Sequence, residues 1–148
     1  MRGFALACAL ACALAAQAAP GEEDDPGLDP DYARARQALD AQDWRAAIGF
    51  LNSAALRDTR NPDIQNYLGY AYRNSGDLAS AFRHYNRALQ LNARHRGAHE
   101  YLGEAYLMAG NLAKAEEHLA LLGRICLIPC AEYAMLERKV AEYRARGK

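Results

Sequence analysis

Two cysteines near the carboxyl end of the chain have a type and spacing that could support chemistry. Cys126 and Cys130 enclose Leu-Ile-Pro, and thiols four residues apart can form a local disulfide or give two soft ligands to copper or zinc. The spacing differs from the two-residue interval of thioredoxin-type motifs, and Ala131 stands where a c-type haem site needs histidine. The pattern favours a Cys126–Cys130 disulfide and leaves a thiol- or metal-handling role as the alternative.

The four histidines are the other candidate metal ligands. His95 and His99 are four residues apart, but Gly97 between them indicates a turn, so a solvated or packing role is favoured over ligation. His84 and His118 fall on helical faces away from the apolar stripes, which predicts surface positions. No further ligand joins either pair, and the sequence therefore predicts no metal site and no cofactor.

Catalytic and nucleic-acid-binding patterns are absent from the sequence. It contains neither a G-x-S-x-G elbow nor a G-x-G-x-x-G phosphate loop. Adjacent carboxylates such as Glu116-Glu117 fall on a predicted helix exterior. The 18 Lys and Arg residues balance 18 Asp and Glu residues, which argues against nucleic-acid binding through net positive charge. These observations predict a protein that is not an enzyme.

The amino terminus has the order of a secretory signal peptide. Arg2 precedes an unbroken apolar run from Phe4 to Ala16, and Ala16-Gln17-Ala18 matches the A-x-A cleavage pattern. The run is shorter than the roughly 20 residues of a membrane span. We therefore predict a signal peptide over residues 1–18, export to a bacterial periplasm and no membrane span in the mature protein.

Two further features follow from that processing. Ala9, rather than leucine, stands three residues before Cys12, which argues against lipid anchoring at this cysteine. Residues 19–27 are predicted to form a flexible acidic leader, because they combine Pro, Gly and four carboxylates without a basic residue.

The chain repeats itself at an offset of 34 residues. A match this dense at one period indicates stacked units. In each unit two apolar stripes with helical spacing flank a break, which predicts a pair of helices. The aligned segments are Tyr67-Leu68-Gly69 with Tyr101-Leu102-Gly103, Ala71-Tyr72 with Ala105-Tyr106, Gly76 with Gly110, and Leu78, Ala79 and Ala81 with Leu112, Ala113 and Ala115.

These motifs resemble tetratricopeptide repeats, whose pattern is W-x2-L-G-x2-Y followed by A-x3-F. Leu68-Gly69-x2-Tyr72 with Ala81-x3-Tyr85 fits well, although Gln65 and His99 occupy the tryptophan slot. The resemblance implies an all-α solenoid. Its predicted parts are three repeats over 28–129 (a degenerate one at 28–61, then 62–95 and 96–129) and a capping helix over 130–148.

The resemblance also implies a function. Such solenoids use the first helix of each unit to line a concave groove that holds a segment of another protein. We therefore expect an exported interaction module or adaptor that binds a partner of unknown identity in the assembly of an envelope complex. A self-assembling structural role stays open. The groove positions implied by the alignment are Tyr32, Arg36, Asn66, Tyr70, Arg73, Asn74, Glu100, Glu104 and Met108.

Overall fold

The computed structural model describes residues 29–128 and 130–147, and within these ranges every regular element is a helix. The predicted signal peptide (1–18) and acidic leader (19–27) lie outside the described residues. The all-α solenoid predicted from the repeat is confirmed. The seven helices are α1 (Pro30–Asp40), α2 (Trp44–Arg57), α3 (Pro62–Asn74), α4 (Leu78–Leu91), α5 (Arg96–Met108), α6 (Leu112–Ile125) and α7 (Ala131–Ala145).

The first six helices begin at a side chain that accepts a hydrogen bond from a backbone N–H of the first turn. Such caps each stabilise a helix by about 1 kcal/mol. Proline follows the cap of α1 and of α3, where its missing N–H costs nothing. The capping residues are Asp29, Asp43, Asn61, Asp77, His95 and Asn111.

The turns inside the three hairpins share one backbone conformation. Gly76 and Gly110 have φ angles of +92° and +77°, and Gln42, at the same repeat position, has +57°. In each turn the next residue donates its N–H to a carbonyl five residues earlier, as Asp77 does to Tyr72 at 2.9 Å. Gln42 therefore adopts a left-handed conformation that costs a residue with a side chain about 1 kcal/mol.

Small residues let the two helices of a hairpin approach closely. A Cβ atom added to Gly69 on α3 would lie 2.5 Å from ring carbons of Tyr85. Tyr85 lies on α4, and its side chain is fully buried. Ala81 and Ala115 on the second helices are also fully buried. These small residues explain why the two helices of each hairpin lie so close together.

Helix α7 packs against α5 and α6, as expected of a capping helix. Leu136 and Val140 are its buried residues, and Leu136 occupies the space beside Gly103. At the 34-residue offset α7 aligns with the first helices of the repeats. Glu137 stands at the position of Gly69 and Gly103, which we call the glycine slot, and it is exposed. None of the helices in the described part of the chain has both the length and the apolar character that a membrane span requires.

Candidate partner-binding groove

The nine predicted groove residues all lie on the first helices α1, α3 and α5. These helices are neighbours: Tyr32 on α1 contacts Tyr67 on α3, with ring centroids 6.1 Å apart, and Tyr70 on α3 contacts Tyr101 on α5 at 5.0 Å. We call this side of the stack the groove face. It comprises the nine predicted residues together with Tyr67 and Tyr101.

The groove face is less open than the alignment predicts. Arg36, Asn74 and Met108 are exposed, whereas Asn66 and Arg73 are buried, because adjacent first helices pack side by side along this row. The exposed amide of Asn74 donates to the carbonyl of Tyr70 in its own helix, at 2.8 Å. Direct contact with a partner is therefore easiest at Arg36 and Met108.

Aromatic rings and guanidinium groups alternate along the face. The Arg36 guanidinium lies 5.1 Å from the ring centre of Tyr67. Further along, Arg73 lies between two rings, 5.4 Å from Tyr70 and 5.3 Å from Tyr101. Burial raises the pKa of Tyr101 to about 12, so the phenol stays neutral. Rigid tyrosine and arginine side chains of this kind are frequent at the energetic centres of protein interfaces.

The centre of the face is an ion pair between neighbouring repeats. Arg73 on α3 donates to the carboxylate of Glu104 on α5, and both side chains are largely shielded from water. Removing one partner of such a pair leaves a buried charge without compensation, which is strongly destabilising. Arg73 and Glu104 therefore hold α3 and α5 together in addition to lining the groove.

Glu100 is the buried carboxyl group of the face. The residue is 6% exposed, and its carboxylate has no hydrogen bond or ion pair within residues 29–128 and 130–147. Burial, reinforced by Glu104 and by Glu132 on α7, raises its pKa to about 7, although Arg73 acts in the opposite direction. The Glu100 carboxyl group therefore changes between its neutral and its ionised form near neutral pH.

Asn66 is a second incompletely satisfied polar group of the face. It occupies the repeat position of Glu100 on the preceding first helix and is 4% exposed. Its Oδ1 atom has no hydrogen-bond partner in the described part of the chain. The side chain lies beside Gly97, where an added Cβ atom would be 3.1 Å from Nδ2. An unsatisfied buried amide oxygen is costly and is rare in native proteins.

A cleft of about 520 Å³ adjoins the groove face between α5 and α7. Glu104 and Met108 connect it to the face, and Tyr143 of α7 forms part of the opposite wall. Lys139 and Glu142, which carry opposite charges, also line the cleft. The capping helix thus contributes to the candidate site, which the repeat alignment does not predict.

The histidines differ from their predicted surroundings. His84 and His118 are half-buried, so the prediction of surface positions is wrong. His84 Nδ1 lies 2.9 Å from Gln65 Oε1, and His118 Nδ1 lies at the same distance from His99 Nδ1. These pairs bridge the two helices of a hairpin, because the residue in the tryptophan slot is polar in both repeats and meets the histidine opposite it.

The remaining two histidines, His95 and His99, have structural roles. His99 is buried, as its packing role required, while His95 caps α5 by accepting the N–H of Ala98 at 3.0 Å. Within the described residues no three His, Cys, Asp or Glu side chains are grouped as metal ligands.

Cys126 and Cys130 form a disulfide, the pairing that their spacing favoured. It joins the end of α6 to the start of α7. Leu127 and Ile128 within its loop are 96% and 79% exposed. A disulfide sulfur is not a thiolate ligand, so metal handling by these residues would first require reduction.

Sequence reasoning missed some residues of the face. Tyr67 and Tyr101 contribute rings to it, although they were not among the groove positions implied by the alignment. Glu132 was placed in the capping helix, yet it raises the pKa of Glu100 across the α5–α7 boundary. The 34-residue offset held a signal in both cases, because it aligns Tyr67 with Tyr101 and α7 with the first helices of the repeats.

The fold and its sequence motifs resemble those of tetratricopeptide repeat proteins. Residues 73–125 match the family model described as tetratricopeptide repeat, and the resemblance seen in the motifs is confirmed. No curated protein sequence is significantly similar to the chain.

Solved structures of tetratricopeptide repeat proteins are similar to this one. The type III secretion translocator chaperone SycD of Yersinia enterocolitica has a TM-score of 0.70 and 16% identity, over 79% of this chain and 83% of that one. The first repeat domain of human RPAP3 has a TM-score of 0.70 and 19% identity, over 78% and 91%. PcrH in complex with the chaperone-binding region of PopD has a TM-score of 0.69 and 18% identity, over 82% of this chain and 98% of that one. At these identities the similarity establishes the fold.

Proposed function

We propose that this protein is a non-enzymatic interaction module that holds an extended segment of another protein on its groove face. The observation that carries the proposal is the row of tyrosine and arginine side chains along α1, α3 and α5. Among the described residues, the Asn66 amide oxygen and the Glu100 carboxylate in this row have no hydrogen-bond partner. Two structures of similar fold support it. SycD was solved with a peptide of the translocator YopD, and the first repeat domain of Spaghetti (RPAP3) was solved with the HSP90 peptide SRMEEVD.

We further propose that the protein acts in the bacterial periplasm, in the assembly of an envelope complex. The support is the signal-peptide pattern of residues 1–18 and the Cys126–Cys130 pair, since disulfides persist in oxidising compartments. Mass spectrometry of the protein from a periplasmic fraction tests the location. We expect a mature amino terminus at Ala19, and an unprocessed protein in the cytoplasmic fraction would contradict it.

Site-specific photocrosslinking tests the binding face. A photoreactive phenylalanine analogue replaces Arg36 or Met108 on the groove face, and Arg45 or Arg87 on the second helices serves as the matched control. All four residues are exposed, so the replacements should leave the fold intact.

We expect the two groove positions to trap the same partner in intact cells and the control positions to trap none. Equal adducts from both sets, or adducts from the second helices alone, would show that the binding face is assigned wrongly. Arg73 is not used, because its loss would disrupt the Arg73–Glu104 pair and confuse binding with folding.

A further inference from the structure

Among the residues that the structure describes, one carboxylate at the α5 end of the groove face has no cationic partner. Glu100, Glu104 and Glu132 come together there from α5 and α7. Arg73 pairs with Glu104, and Arg96 lies 3.5 Å from Glu132. The carboxylate left over is Glu100, and it is also the most buried of the three.

A buried carboxylate without a cation or hydrogen bond is unfavourable in the isolated protein. Asn66, one repeat earlier at the same helix position, also lacks a partner, because its amide oxygen accepts no hydrogen bond from residues 29–128 or 130–147. The two groups call for different chemistry, since Asn66 needs an N–H donor and Glu100 needs a cation.

An extended chain can supply both. Its backbone presents N–H donors at regular intervals, and a long basic side chain can reach a recessed carboxylate while its methylene groups pack on neighbouring rings. Tyr101 lies next to Glu100 and contacts Arg73 and Tyr70, so such a side chain would extend over an aromatic surface.

We propose that the groove face selects an extended segment with a lysine or arginine whose cationic group pairs with Glu100, while the segment's backbone donates to Asn66. This inference rests on the proposed function, and it adds the charge of the residue that the partner must carry. Pairing with Glu100 leaves the Arg73–Glu104 link undisturbed.

The proton equilibrium of Glu100 provides an independent readout. The charged groups that act on it are Arg73 from α3, Glu104 from its own helix and Glu132 from α7, and the pKa of the free carboxyl is about 7. A bound cation favours the ionised form and expels the proton. Affinity should therefore rise about tenfold between pH 6 and pH 8, since the ionised fraction of such a group rises by that factor.

The probe is a phage library of random peptides of about a dozen residues, selected on the purified protein and on its Glu100→Gln variant. Glutamine keeps the shape of the side chain and removes the charge. Glu117→Gln on α6 is the matched control, because Glu117 is exposed on a second helix. Circular dichroism at neutral pH checks that both variants are folded.

We expect wild-type protein and the Glu117→Gln variant to enrich peptides with lysine or arginine at one fixed position, and Glu100→Gln to lose that preference. Enriched peptides without a basic position would overturn this inference and leave the proposed function standing. If neither selection enriches any sequence, the proposed function fails, and this inference fails with it.

A synthetic peptide from the selection gives the quantitative test by fluorescence anisotropy. Replacing its basic residue by norleucine should weaken binding to wild-type protein about tenfold and binding to Glu100→Gln by less than about twofold. The rise in affinity with pH should disappear in the variant. Equal weakening in both proteins, or a wild-type affinity that is constant from pH 6 to pH 8, would overturn the pairing.

Discussion

The imidazole pair of the third repeat predicts a loss of stability in acid. His99 Nε2 lies 3.1 Å from the carbonyl oxygen of Ala93, and a carbonyl only accepts, so this nitrogen carries the proton of neutral His99. Its Nδ1 is then an acceptor for His118 Nδ1–H. When both rings are protonated, two N–H groups face each other at this contact. The pair is therefore compatible with neutral histidine and strained by acid.

The magnitude follows from the pKa of His118. Burial, with a smaller effect of His99, lowers it to about 4 from the ordinary 6.5. Because the folded-state pKa is lowered, the unfolded chain takes up the proton first, and stability falls as pH falls below about 6.5. Between pH 7.5 and pH 5 the full difference corresponds to about 2 kcal/mol. Partial exposure of the ring reduces this to about 1–1.5 kcal/mol.

The perturbation is His99→Gln, which converts the third repeat to the Gln–His arrangement of the second. There Gln65 Oε1 accepts from His84 in either protonation state of the ring. Urea unfolding followed by circular dichroism gives the free energy of unfolding at both pH values. We expect the variant to lose at least about 0.5 kcal/mol less than wild-type protein on acidification.

The reciprocal variant Gln65→His should acquire the same acid sensitivity in the second repeat. Parallel losses in wild-type protein, His99→Gln and Gln65→His would refute the reasoning, because the imidazole pair would then contribute nothing to the pH dependence. The comparison uses differences between pH values, so a uniform cost of either substitution does not affect it.

Three further predictions concern the free energy of unfolding from urea titrations. Gln42→Gly should stabilise the protein by about 0.5–1 kcal/mol by relieving the left-handed turn, and no gain would contradict the turn geometry. Gly69→Ala should destabilise it by about 1–3 kcal/mol, since the methyl group overlaps Tyr85; an unchanged value would mean that the ring has room to move. Reducing Cys126–Cys130 should cost up to about 2 kcal/mol, and unchanged stability would show that the staple does not constrain the unfolded chain.

The repeat period made most of the fold predictable. The offset of 34 residues located the hairpins and identified Gly76 and Gly110 as turn positions, and it also placed Gln42 in the corresponding slot of the first repeat. Local propensity alone would not place glutamine at a positive φ angle. The repeat determines that conformation, because the helices on either side fix the path of the chain.

The alignment predicted which helices carry the groove residues, but it did not predict which of those side chains are exposed. Alignment put Arg73 and Glu104 on the first helices, but their pairing depends on the distance between α3 and α5, which no spacing along the chain encodes. The same limit explains the error at His118. Its helix face was judged from the apolar stripe of α6 alone, whereas its partner His99 comes from α5.

The residue in the glycine slot of α7 disfavours a further helix packed on α7 in the register of the repeats. Gly69 admits the Tyr85 ring because it has no side chain, and a second helix packed on α7 in the same way would have to bury Glu137. Glu137 accepts a hydrogen bond from the Tyr133 hydroxyl but has no ion pair in the described part of the chain, and burying a carboxylate without a cation costs several kcal/mol. Helix α7 therefore presents a surface that resists stacking in this register, both by an added helix and by the end of another copy.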